Sequence, residues 1–182
     1  MERRLDFEIA DAQVADADAL SKIINDAYRG EDGATLGWTG VAHLLKGPRI
    51  RVEEIWPLIY SNDGQLITAR YRQRLVGCIY ASCCGLGIGE ISLLSIRPQD
   101  QNFGMGRALL KAAEQVLVDR WGISRAVLSV LAPRPELQAW YRRRGYVETG
   151  SRRLLREDGE GYGIPAQKSL YVIEYGRQIA VS

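Results

Sequence analysis

Apolar positions recur along the chain with two different periods, and the changes between them divide it into elements. Leu20, Ile23, Ile24, Ala27 and Tyr28 fall at i, i+3, i+4, i+7 and i+8, one stripe of an amphipathic helix with Asp16 as its expected N-cap. Gly30, Gly33, Gly37 and Gly40 then break the chain around Trp38, and a second stripe of Val52, Ile55, Trp56 and Ile59 predicts a short helix. The first third therefore reads strand, helix, loop, helix. Ser61-Asn62-Asp63-Gly64 is turn chemistry. Residues 65–71 and 75–84 have strand composition and are separated by Arg72-Gln73-Arg74, which predicts a β-hairpin. After the glycine-rich stretch 85–89, residues 90–96 form a short β-branched and leucine run. It stops at Arg97-Pro98, because proline has no N–H for a ladder.

From Gly104 the period becomes helical, with Leu109, Leu110, Ala113, Val116 and Leu117 repeating until Trp121-Gly122 ends the pattern. Residues 125–131 read as a strand. Pro133 and Pro135 break the chain, residues 136–144 suit a short helix, and Gly145 stops it before Tyr146-Val147; residues 168–175 are the last clear strand. Strands that alternate with helices in the middle and form hairpins at the flanks predict a mixed sheet, in one α/β domain without internal repeats or linkers.

Composition narrows the class of function. The 182 residues are 46% hydrophobic and 25% charged, enough apolar material for one core and too little chain for a second full domain. A net charge of +2 lacks the strong positive field of a nucleic-acid binder, so any basic patch is local. No apolar run is long enough to span a membrane and the N-terminus lacks a signal-peptide pattern, which predicts a cytoplasmic protein with no membrane partner. Cys78, Cys83 and Cys84 are an odd count with two adjacent. They are expected to be plain buried thiols, with no disulfide framework and no metal site. His43, the single histidine, lies in an apolar stretch and reads as a packing or surface residue.

The chemistry concentrates in residues 93–107, Leu93-Leu94-Ser95-Ile96-Arg97-Pro98-Gln99-Asp100-Gln101-Asn102-Phe103-Gly104-Met105-Gly106-Arg107. A strand, a tight turn and a glycine-containing helix start present unpaired N–H groups at the positive end of a helix dipole, a ready site for a phosphate or pyrophosphate. The stretch lacks the lysine and Ser/Thr of a P-loop. No acidic residue follows at the spacing of a dinucleotide-binding fold.

Gln101-x-x-Gly104-x-Gly106 resembles the pyrophosphate-binding signature of the GNAT superfamily of N-acetyltransferases, and Tyr141-Arg142-Arg143-Arg144-Gly145-Tyr146 resembles its Tyr-x-x-x-Gly-Phe/Tyr helix-to-strand junction. The likeness is tight over residues 75–150 and looser elsewhere. It implies the GNAT fold: a mixed, mostly antiparallel sheet of six to seven strands with splayed central strands and about four helices. The cofactor-binding core would cover about residues 65–150 and a helical acceptor-side segment about residues 15–60. It implies acetyl-CoA as co-substrate and no metal. Leu94, Ser95 and Ile96 would lie along the pantetheine arm, and Gln101, Asn102, Phe103, Gly104, Met105, Gly106 and Arg107 around the pyrophosphate. Tyr141 is implied as the general acid for the leaving thiolate. Glu90, eleven residues before Gln101, stands at the offset of the strand-borne glutamate base of the histone-acetylating branch. Strict alternation would put Glu90 on one face with Ser92, Leu94 and Ile96, where an apolar pocket raises its pKa.

The expected reaction is direct transfer of acetyl to a small-molecule amine in a ternary complex. A protein or peptide acceptor, a longer acyl donor and a non-catalytic acetyl-CoA sensor are the rivals. Tyr28 and Trp38 are the expected acceptor-binding residues. The acidic positions Glu31-Asp32 and Glu157, Asp158 and Glu160 would favour a cationic amine if their loops close over it. Arg142, Arg143, Arg144, Arg152, Arg153 and Arg156 are the one dense basic cluster; aromatic platforms for nucleic acid are not interleaved with it. A homodimer is common in proteins of this kind, although no residue here demands one.

Overall fold

A computed structural model describes residues 7–30, 44–101, 103–155, 163–166 and 169–180. The element order is β1 (Phe7–Asp11), α1 (Ala17–Arg29), β2 (Leu45–Lys46), α2 (Val52–Ile59), β3 (Gly64–Tyr71), β4 (Arg74–Cys83), β5 (Ile88–Ile96), α3 (Met105–Trp121), β6 (Arg125–Leu131), α4 (Pro135–Arg142), β7 (Val147–Leu154), β8 (Ile164–Pro165) and β9 (Tyr171–Gln178). Single 3₁₀ turns precede α1 and follow β5. Seven strands make one sheet in the order β1-β3-β4-β5-β6-β9-β7, and β2 pairs with β8 beside it. Every pairing is antiparallel except β5 with β6. The expected mixed, mostly antiparallel sheet with four α-helices is the architecture found. No helix among the described residues is long and apolar enough to cross a membrane.

The two helical stripes bury as their spacing requires. Leu20 and Ile24 of α1 pack with Ile55 of α2, Leu66, Cys78 and Leu93 on one face of the sheet. On the other face, Met105, Leu109, Leu110, Ala113 and Leu117 of α3 pack against Ile67, Val76, Ile79, Ile91, Leu94 and Ile96. Asp16 stands at the N-cap of α1 but does not cap it through its side chain. Its carboxylate instead accepts from the Gln13 N–H at 2.9 Å and pairs with Arg70 of β3, tying the helix start to the sheet.

Several boundaries differ from the sequence reading for local reasons. The β3–β4 turn is only Arg72-Gln73, both at positive φ, so Arg74 already belongs to β4. β9 runs to Gln178, beyond the expected Tyr175, because Gly176, Arg177 and Gln178 continue the ladder against β6. β7 was not signalled by the sequence. It is an exposed edge strand with two extra residues between Glu148 and Arg152, where Gly150 has φ +90°. Cys78 is buried, but Cys83 is half-buried and Cys84 exposed, which corrects the expectation of three buried thiols. His43 lies outside the described residues.

Gly77 of β4 sits where a side chain does not fit. A Cβ there would lie 2.7 Å from the Ser95 carbonyl oxygen and 3.3 Å from Leu109 Cδ1. Gly77→Ala is expected to destabilise the protein by about 1–3 kcal/mol, because backbone of β5 must move to admit one methyl. Chemical denaturation against wild type checks this.

Candidate active site

The site starts from a defect in β5. Its register with β4 passes from Tyr80↔Ser92 to Cys78↔Ser95, so β5 carries one extra residue there, and Leu93 takes φ +54° without being glycine. The bulge reverses the faces of everything after it. Glu90 and Ser92 line the cleft on one side, whereas Leu94 and Ile96 pack with α3. Glu90 therefore does not share a face with Leu94 and Ile96, because alternation is interrupted at Leu93. The Leu93 carbonyl accepts from Ser95 Oγ at 3.1 Å and from Cys78 Sγ at 3.8 Å, which fixes the bulge from behind. Burial pushes the Cys78 thiol up to about 12, so it stays a neutral donor there.

The parallel ladder between β5 and β6 covers only Ile88–Glu90 against Arg125–Val127, while β6 stays paired with β9 as far as Leu131. The two central strands thus splay after Glu90. Their backbone groups facing the gap have no β5–β6 ladder partner beyond that point.

Into this gap open Glu90, Ser92 and Leu94 from β5, Ser129 and Leu131 from β6, Tyr141 from α4, Tyr28 from α1, and Arg49. The non-atom space of the gap, open solvent at its mouth included, is about 690 Å³. Burial raises the Glu90 carboxyl above the ordinary carboxylate range; Arg153 and Arg49 oppose that shift and Glu174 adds to it. Burial, with the Tyr28 phenol and against Arg144, raises the Tyr141 hydroxyl well above the ordinary tyrosine value. Trp140 and Tyr146 hold the Tyr141 ring edge-on at centroid distances of 4.9 and 5.7 Å. The Tyr146 hydroxyl donates to Glu114 of α3 at 2.9 Å, and Arg177 of β9 donates to the same oxygen at 2.9 Å, so the junction after α4 is anchored to α3.

At the open end of the gap lies the start of α3. Gly104, its N-cap, has φ +79°, and no acidic residue occupies the first turn. A Cβ on Gly106 would stand 3.3 Å from Ile96 Cδ1 and 3.4 Å from Trp140 Cζ2, so the bare backbone there is closely packed and a side chain would have to displace Ile96 by a few tenths of an ångström. Arg107, Arg143 and Arg144 rim the adjoining pocket. Arg144 is pushed below the ordinary arginine value by burial and then by the charges of Arg143 and Arg107, which marks a crowded positive mouth. A bare backbone at a helix N-terminus ringed by guanidiniums is a donor set that fits a diphosphate.

The sequence-predicted residues divide by role in this geometry. Glu90, Tyr141, Tyr28 and Leu94 meet in one cleft, and Ile96, Gly104, Met105, Gly106 and Arg107 line the adjoining pocket. Ser95 is fully buried with its hydroxyl on Leu93, and the side chain of Met105 is buried in the core. The Gln101 amide donates to the Ile96 carbonyl at 3.1 Å, so this side chain braces the turn. Asp100 reinforces it through Arg74 at 2.8 Å. Phe103 is exposed; Asn102 and Trp38 lie outside the described residues.

The basic cluster does not form one patch. Arg142 and Arg152 bracket Glu148, Arg143 and Arg144 rim the pocket beside α3, and Arg153 acts on Glu90; Arg156 lies outside the described residues. Glu31-Asp32 and Glu157, Asp158 and Glu160 also fall outside them, while Ile164-Pro165 forms β8. Sequence reasoning missed Arg49, Ser129 and Glu174. Glu174 and Ser129 are cross-strand partners in β6 and β9, readable only once the register is known; Arg49 follows Gly47-Pro48 in no motif at all.

With this geometry in place, comparison with known proteins is decisive at the level of family. The sequence model of the "Acetyltransferase (GNAT) family" matches residues 21–146. An uncharacterised N-acetyltransferase of Chlorobaculum tepidum is 27% identical over 140 residues, covering 77% of this chain and 75% of that protein. Among solved structures, the ribosomal-protein-S18-alanine N-acetyltransferase of Escherichia coli superposes with a TM-score of 0.68 at 17% identity, over 97% of this chain and 96% of that one. The PaiA N-acetyltransferase of Thermoplasma acidophilum, in complex with coenzyme A, gives 0.67 at 17% identity over 93% and 98%. A variant of the spermidine N-acetyltransferase of Vibrio cholerae gives 0.69 at 14% identity over 95% and 94%; at such identities the structural likeness is one of fold. The strand splay, the helix start facing it and the sequence match over residues 21–146 together place this chain in the GNAT acetyltransferase family.

Proposed function

We propose that this protein is an acetyl-CoA-dependent N-acetyltransferase that acetylates a small-molecule amine by direct attack in a ternary complex. The observation that carries this reading is the convergence of Glu90 and Tyr141 on the gap between β5 and β6, with the bare backbone of the α3 start at its open end. The 182 residues act as one domain, residues 65–150 holding the cofactor and residues 15–60 the acceptor side. Three free thiols, one of them exposed, suit a reducing cytoplasm.

Acetyl-CoA supplies the acetyl group as a thioester. The N–H groups at the start of α3, with Arg107, Arg143 and Arg144, hold its diphosphate, and the walls of Leu94 and Ile96 bound the passage for its arm. Glu90 removes a proton from the ammonium form of the acceptor, directly or through one water. Its buried setting raises its pKa toward that of a working general base. A backbone N–H beyond the Leu93 bulge, free of the β6 ladder, meets the carbonyl oxygen as charge develops on it. Tyr141, kept protonated by burial, donates to the departing sulfur.

A thiol-release assay with acetyl-CoA and a panel of amines tests the reading; coenzyme A binding without turnover on any acceptor overturns it in favour of a sensor. Tyr141→Phe is expected to lower kcat by about 100-fold while acetyl-CoA affinity, read by calorimetry, stays close to wild type.

Glu90 gives a two-part expectation. The carboxylate must be unprotonated to act, so kcat should fall as pH drops through a pKa above the ordinary carboxylate range, and Glu90→Gln should remove that limb with a loss of about 100-fold or more. Stability should move the other way. With the folded pKa raised, the folded state binds more protons than the unfolded state between the two pKa values, so wild-type stability declines as pH rises through that window. Glu90→Gln should therefore melt at or above the wild-type temperature at neutral pH, and the difference should shrink under acid conditions. Thermal melts across pH check it.

A further inference from the structure

Where the two central strands part, each carries a hydroxyl on the cleft face. The parallel ladder ends at Glu90↔Val127, and Ser92 of β5 and Ser129 of β6 are the equivalent positions one alternation further along the two lips of the splay. Ser92 precedes the bulge at Leu93, so it keeps the face of Glu90. Leu128 and Val130, the neighbours of Ser129, pack in the core on the α3 side, which turns Ser129 to the opposite face. Both serines line the same cleft as Glu90.

Buried serines elsewhere in the chain are satisfied by backbone. Ser21 Oγ donates to the Ile50 carbonyl at 3.3 Å, and Ser95 Oγ donates to that of Leu93 at 3.1 Å. Ser92 and Ser129 are half-buried, and among the described residues neither hydroxyl has a hydrogen-bond partner. With Leu45, Leu94 and Leu131 on the surrounding walls, these oxygens are matched best by donors on a ligand. Glu90 is the one carboxylate lining the cleft among the described residues.

The neck of the splay thus offers three oxygen acceptors: the Glu90 carboxylate, Ser92 Oγ and Ser129 Oγ. A primary ammonium presents three N–H donors. Once Glu90 has taken one proton, the neutral amine still has two N–H groups, and fixing both of them fixes the direction of its lone pair. We infer that Ser92 and Ser129 accept those two N–H groups, so that they hold the acceptor nitrogen beside Glu90 and make the site selective for primary over secondary amines. A secondary amine has a single N–H left at that stage; its extra carbon meets one hydroxyl and leaves it unpaired. The inference rests on the acetyltransferase reading above and names the residues that bind the nitrogen and the class of amine they select.

The test compares amines with their own N-methyl derivatives as acceptors: glycine with sarcosine, benzylamine with N-methylbenzylamine, ethanolamine with N-methylethanolamine, and the best acceptor of the thiol-release panel with its N-methyl form. The primary member is expected to have a kcat/KM about 10-fold higher or more, the effect of one polar group left unpaired. Ser92→Ala and Ser129→Ala should each lower kcat/KM for the primary amine by about 10-fold and narrow its advantage over the N-methyl form by a similar factor. Where N-methyl turnover falls below detection, its inhibition constant against the primary amine supplies the comparison. Ser129→Thr, which keeps the hydroxyl, should keep the preference. Acetyl-CoA affinity by calorimetry should stay at the wild-type value in all three variants, and melting temperatures identify any loss of fold. Equal use of primary and secondary amines by the wild type, an equal loss on both members of a pair, or no loss on the primary amine overturns the inference while leaving the transferase reading intact. Absence of acetyl transfer to every acceptor, with acetyl-CoA still bound, overturns the transferase reading and the inference with it.

Discussion

The extra residue at Leu93 is the constraint from which the rest of the site follows. A strand in a sheet ordinarily serves both neighbours with one register. β5 instead stays paired with β4 up to Ile96 while leaving β6 after Glu90. A bulge makes this possible, because it bends the strand and advances its twist on one side only. It holds a leucine at φ +54°, a conformation that side chains with a Cβ rarely adopt, and the hydrogen bonds from Ser95 and Cys78 to the Leu93 carbonyl keep it there. Gly77, opposite Ile96, has no side chain to push α3 away, so the helix closes down on the bent strand and its start comes to the mouth of the gap.

The site draws on stability built elsewhere. Glu90, Arg29 and Arg144 are each shifted against their charged forms, chiefly by burial. Such groups are tolerated because the sheet beside them is held closed by the five buried apolar residues of α3 and by the Tyr146, Glu114 and Arg177 network. A ligand carrying the complementary charges would then bind a surface already organised for it, with little of the binding free energy spent on ordering.

Legibility in the sequence followed the range of the interactions involved. Helices α1 and α3 were readable because one face of each is buried, so the period of their apolar residues is a direct image of their packing. β6 was readable as a strand directly after the stop at Trp121-Gly122. β7 was not: no apolar alternation marks residues 147–154, and only pairing with β9 makes them an edge strand. The bulge was equally silent. Leucine at positive φ leaves no trace in composition, so alternation was carried past position 93 and placed Leu94 and Ile96 on the wrong face.

The same difference in range separates the two ends of the cleft. Backbone N–H groups at one helix start lie within a few residues of one another, so a site built on them is visible as glycines at fixed spacing, as at Gly104 and Gly106. The cleft wall around Glu90 is assembled from Tyr28, Arg49, Glu90 and Ser129, on four segments brought together only by the sheet order and the docking of α1. No spacing rule links these positions. Each is free to change without disturbing a neighbour in sequence, so one fold can keep a common donor site while the acceptor chemistry is set by a handful of side chains. Arg49 illustrates the point: nothing in Gly47-Pro48-Arg49 signals a place on the cleft wall, and the backbone N–H of Arg49 is held by Asn25, twenty-four residues earlier.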